Sequence, residues 1–137
     1  MKFKLLIAAI TITPTLVLAQ TIPNMLGTWT TTAHTTVMGT GAHHIFPNKK
    51  DKEIYFNKVA LTLVVDRQEG MNFTGTFTSK SLKEVILGAI AFDFQSGVMI
   101  DSDGAFNFKI VDENTIQACY TQLQKPKVAG CAEYKKI

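Results

Sequence analysis

The residues of this 137-residue chain best suited to chemistry are three histidines, two cysteines and two short acidic runs. His34, His43 and His44 fall on either side of Met38, and imidazole with thioether suits a late transition metal. Their spacing fits no defined metal motif, and a His-His pair in a Gly-rich segment is commonly just solvated, so no metal is expected. Asp101-Ser102-Asp103-Gly104 begins like a calcium loop, but Ala105 and Phe106 stand where a further ligand and a glycine are required. It reads as a turn. Asp112 and Glu113 are adjacent, so on a strand they point apart, whereas general acid–base work needs two groups converging on one substrate. There is no G-x-S-x-G, and Cys119 is better explained as a disulfide partner than as a thiolate nucleophile. The expectation is a protein that is not an enzyme and carries no cofactor.

The two cysteines, Cys119 and Cys131, flank the turn-forming Lys125-Pro126-Lys127. Two strands folding back there set the thiols opposite each other, and an even count in an exported chain is most economically paired. Closing a loop of that size contributes about 3 kcal/mol in the chain-entropy model.

Export is expected from the first residues. Lys2 and Lys4 make a basic start, an apolar run extends from Leu5 to Leu18, and cleavage after Ala19 leaves residues 20–137 as one domain. The run is short and Thr-rich for a membrane span, which takes about 20 apolar residues. The expected location is periplasmic or secreted. Without Lys2 and Lys4 the chain has 12 Lys and Arg against 11 Asp and Glu, about one net positive charge. A nucleic-acid binder needs a basic stripe, and the only dense lysines are Lys49, Lys50 and Lys52 in one loop, so no nucleic-acid partner is expected.

The elements that must position these residues are strands. Val59, Leu61, Leu63 and Val65 alternate with polar or small residues, and Phe73, Gly75 and Phe77 do the same after Asp66–Gly70, which predicts a hairpin with that pentapeptide as its turn. Leu26 to Met38 is a Thr-rich extended run with Trp29, Thr31 and Ala33 inward. Gly39 to Glu53 reads as a long loop. Ser81 to Ile90 fits either a strand, which the neighbouring strands favour, or a short helix begun by a capping box. Further short runs follow at Val98 to Ile100, Ala105 to Val111, Thr115 to Tyr120 and Gly130 to Tyr134. The fold class predicted is all-β: an antiparallel up-and-down meander of about eight strands closing into a small barrel. Eight is also about the number at which a barrel is filled by side chains or holds one small ligand.

Gly27-Thr28-Trp29 on the first strand of such a meander resembles the avidin and lipocalin group of calycin-type barrels, and Thr74-Gly75-Thr76-Phe77 resembles the T-G-T-aromatic strands of avidins. The early G-T-W and two late cysteines are also similar to uncharacterised secreted bacterial proteins. The resemblance implies a ligand-binding barrel, though not biotin: avidin sites are walled by several tryptophans, and Trp29 stands alone. Lipocalins pair the first-strand tryptophan with a late arginine. Here Arg67 lies in the central turn, which leaves a lysine such as Lys135 for that place.

The functional expectation is an exported, non-catalytic binding protein for a small apolar ligand in or at the mouth of the barrel, with Trp29, Leu61, Leu63, Phe73, Phe77, Phe106 and Phe108 as candidate contacts and 39–53 as lid or entrance. The phenylalanines, Phe92 and Phe94 included, equally suit a packed core. The alternative is a protein-interaction or inhibitor module of the cell envelope with a filled interior. A cavity separates the two readings.

Overall fold

The computed structural model describes residues 21–41, 50–124 and 126–137. The expected leader, along with His43 and His44 and most of the 39–53 loop, lies outside the described residues. Eight strands follow in order: β1 (Gly27–Met38), β2 (Ile54–Glu69), β3 (Asn72–Thr78), β4 (Lys83–Ile90), β5 (Ser96–Ile100), β6 (Ala105–Asp112), β7 (Thr115–Gln122) and β8 (Lys127–Lys136). Each pairs antiparallel with the next, and β1 pairs with β8 to close the barrel. No helix among the described residues is long and apolar enough to cross a membrane.

The central hairpin has the inward face read from its alternation. Leu63 stands opposite Phe77 and Val65 opposite Gly75, all buried. Its turn is shorter than expected. β2 continues to Glu69 and the chain reverses at Gly70-Met71, with Gly70 at φ 58°. A bulge between Val65 and Arg67 absorbs one residue, so that Arg67, Gln68 and Glu69 stay paired to β3. Beside the bulge a Cβ on Gly75 would lie 2.1 Å from the Val64 carbonyl oxygen, so the glycine permits close approach of β2.

Within the Ser81 to Ile90 stretch, Lys83–Ile90 forms the strand β4. Ile86 and Ile90 are buried while Val85 and Leu87 are exposed, a period of two rather than of a helix. Phe92 is a correction to the inward set: it is 88% exposed in the β4–β5 turn, whereas Phe94 packs on the core with φ 53°.

The core is concentrated towards one end. Trp29, Leu63, Phe73, Ile86, Ile90, Met99, Phe108 and Ile116 fill it, and the segment before β1 seals it with the buried Met25. The Trp29 indole donates to the Met25 carbonyl (2.9 Å), the Met25 amide donates to Gln68 Oε1 (2.7 Å), and Gln68 Nε2 donates to the Pro23 carbonyl (2.8 Å). Lys136 Nζ stands 5.0 Å from the Trp29 ring centroid. Lys136 therefore takes the place expected for Lys135. Tyr134 and Lys136 lie on the inward side of β8, while Lys135 points out to Glu133 Oε1 (2.9 Å) and Thr115 Oγ1 (3.0 Å).

Cys119 and Cys131 are bonded, as expected, from opposite positions on β7 and β8. The bridge lies on the exposed outer face.

Candidate functional site

Towards the other end of the barrel the inward positions change in size. Ala33 and Thr35 on β1, Ala118 on β7, and Gly130 and Ala132 on β8 face the interior where the closed end has Trp29, Ile116 and Tyr134. Small side chains on three adjacent strands cannot fill an eight-stranded barrel, and a cavity of about 450 Å³ remains. Leu61 and Val59 on β2, with Phe77 and Phe106, form the facing wall. Phe77 stacks on Phe106 (centroids 4.9 Å) and tilts against Tyr134 (5.9 Å). These rings belong to the core and also line the cavity, so they mark the boundary between the filled and open halves.

The cavity reaches the end that bears the β1–β2, β3–β4, β5–β6 and β7–β8 connections, lined there by Ser79, Leu82, Asp101 and Asp103. On one side Val37, Tyr55 and Val128 pack together, and the Tyr55 hydroxyl donates to the Gly39 carbonyl (3.3 Å). This fixes the described start of the 39–53 loop at the mouth.

The polar groups here are organised around the β5–β6 turn. Asp101 Oδ1 accepts from the Gly104 amide (2.7 Å) and the Asp103 amide (3.2 Å), an Asx turn consistent with the turn reading of this tetrapeptide. The Tyr120 hydroxyl donates to Asp103 Oδ1 (2.8 Å), and the buried Gln122 amide donates to Asp103 Oδ2 (2.9 Å). The Tyr120 ring lies against Phe106 (4.5 Å) and over Gly104, where a Cβ would come within 2.3 Å of it. Glu84 points inward from β4 and is hydrogen-bonded to the Ser102 hydroxyl. Carboxylate oxygens of Glu84, Asp101 and Asp103 lie within 4.8 Å of one another, each residue half-buried. Burial pushes the Asp101 carboxyl above its ordinary range, the turn amides oppose this, and the charges of Glu84 and Asp103 add to the rise. Burial and the bond to Asp103 hold the Tyr120 phenol well above its usual value.

Of the sequence candidates, Leu61, Phe77 and Phe106 meet in the cavity wall. Trp29, Leu63, Phe73 and Phe108 lie in the filled half. His34 is exposed on the outer face, opposite Lys58 and Cys131. Asp112 and Glu113 are exposed at the β6–β7 turn, as expected. Tyr120, Tyr134, Glu84 and the small residues were not among the sequence candidates, and Asp101 and Asp103 were weighed as a calcium loop and read as a turn. The signal for the open half was the run Val128-x-Gly130-x-Ala132-x-Tyr134, whose inward positions are small in the middle.

No family model matches the chain, and no curated protein or solved structure matches it significantly.

Proposed function

We propose that the chain is an exported, non-catalytic binding protein that holds a small molecule with an apolar body in the open half of its barrel. The cavity of about 450 Å³ carries this reading, because it falls within the usual span of small-ligand sites and is walled by Leu61, Phe77, Phe106 and Tyr134. Binding is favoured over catalysis: among the described residues Tyr120, Gln122 and Asp103 hydrogen-bond one another at the mouth, and none sets a nucleophile beside a base. The Cys119–Cys131 bridge is compatible with an oxidising compartment, periplasmic or extracellular. Lys136 over Trp29 supports the likeness to lipocalins, which close one barrel end with a first-strand tryptophan and a late cation.

The second reading, a protein-interaction or inhibitor module, is favoured by one observation. Val64, Val85, Leu87, Val98 and Ile100 are exposed on the outer wall of β2, β4 and β5, with Leu87 opposite Ile100.

The experiment is a titration of purified protein with a panel of apolar fluorescent probes, repeated on Ala132→Phe, which places a ring in the open half. The expected result is binding by the wild type and its loss in the variant at an unchanged melting temperature. Equal binding by both proteins would move the site out of the cavity, and no binding by the wild type would leave the outer wall as the better reading.

A further inference from the structure

We propose that the ligand of this cavity carries a cationic, ammonium-type head on its apolar body, the head lying against Glu84, Asp101 and Asp103 and the body against Phe77, Phe106 and Leu61. The inference rests on the binding reading above and adds the ligand's polarity and direction. The cavity is its foundation, because one continuous space is bounded by apolar rings at its inner end and by these three carboxylates at its mouth. Three carboxylates alone are a common surface feature, and no metal is assigned to them.

Among the described residues, the half-buried charged groups that line the cavity are all acidic. Among the described residues no lysine or arginine pairs with any of the three, and the lysines that touch the cavity, Lys58 and Lys80, are both exposed. The existing hydrogen bonds come from neutral donors: the Tyr120 hydroxyl, the Gln122 amide, the Ser102 hydroxyl and the turn amides. They orient the carboxylates without neutralising them. Like charges this close in a half-buried site repel, and a cation entering among them relieves the repulsion while making charge-assisted hydrogen bonds. An anionic head placed among these carboxylates is repelled by them, and a neutral one forgoes both contributions.

Decylammonium, decanol and decanoate share one chain and differ in head group, so calorimetric titration of the full chain with each, below micelle formation, isolates the head. Decylammonium should bind about tenfold or more tightly than decanol, the worth of one charge-assisted hydrogen bond, and decanoate weakest. The Glu84→Gln, Asp101→Asn double variant should lose that preference while still binding decanol, since Asn keeps the acceptor that the Gly104 amide needs. Should the variant not fold, the wild-type comparison decides alone. Equal affinity for all three, or a preference for decanoate, overturns the cationic head and leaves cavity binding standing. Binding of none overturns cavity binding itself. Calcium binding at the mouth without any decylammonium preference also overturns the inference, in favour of a metal site.

Discussion

Lys136 Nζ lies 5.0 Å from the centre of the Trp29 ring, while the indole N–H of the same tryptophan is bonded to the Met25 carbonyl. One aromatic side chain, 1% exposed, thus joins the first strand, the last strand and the segment before the barrel. Lys136→Met should keep most of the aliphatic packing and lose the cation–π term, costing about 0.5–1 kcal/mol. Trp29→Ala should cost about 3–5 kcal/mol, because a fully buried indole leaves a void. Denaturant unfolding followed by circular dichroism compares the two.

The bridge between β7 and β8 predicts that the unfolded, unreduced protein titrates with no free thiol. Replacing both Cys119 and Cys131 with serine should lower stability by about 3 kcal/mol through the freed loop. The exposed position of the bridge leaves little packing to lose, so the folded barrel should retain its circular dichroism spectrum.

Glycines 70 and 75 separate two kinds of backbone demand. A Cβ at Gly70 meets nothing within 4 Å, so Gly70→Ala should cost only the left-handed conformation, about 1 kcal/mol. A Cβ at Gly75 meets the Val64 carbonyl, carbon as well as oxygen, and backbone cannot step aside as a side chain can. Gly75→Ala should therefore be clearly the more damaging of the two in a thermal melt, parting β2 from β3 at the bulge.

Asp101 gives the mouth a pH dependence of defined sign. Burial and the neighbouring charges of Glu84 and Asp103 raise its folded-state value above the 3.8 of a free carboxyl, so the native state holds this proton more tightly than the unfolded chain. Its contribution is fully present below pH 3.8 and is lost as pH rises through the raised value. Asp101→Asn should accordingly gain stability over wild type as pH increases across that window, and the two should converge in acid. Asp93, Asp112 and Glu133 are shifted the other way and destabilise both proteins on acidification, so they cancel in the difference between the two melting curves, which reads Asp101 together with its coupling to Glu84 and Asp103.

The barrel was legible because its strands announce themselves locally. Val59 to Val65 and Phe73 to Phe77 alternate within a few residues of one another, and the cysteines flank their own turn. The cavity was not legible for the opposite reason. Its small wall is shared by Ala33 near the start and by Ala118, Gly130 and Ala132 near the end, and alanine and glycine in a strand carry no hydrophobic signature. Asp101-Ser102-Asp103-Gly104 was read correctly as a turn, but only closure of the barrel brings Glu84 of β4 and Tyr120 of β7 to it. Phe92 misled because hydrophobicity was read as inward direction, whereas turn geometry at the closed end leaves its ring in solvent.

Closure through β1 and β8 also governs the order in which the molecule can be completed. The Thr31 hydroxyl donates to the Glu133 carbonyl across 102 positions of sequence, and β1 has one vacant edge until the final ten-residue strand arrives. A chain emerging amino-end first can assemble hairpins as it goes, but it has no sealed interior until β8 is free. Truncation by a single strand would therefore remove more than one eighth of the structure: both edges would stay open to pairing with other chains, and the cavity would lack a wall.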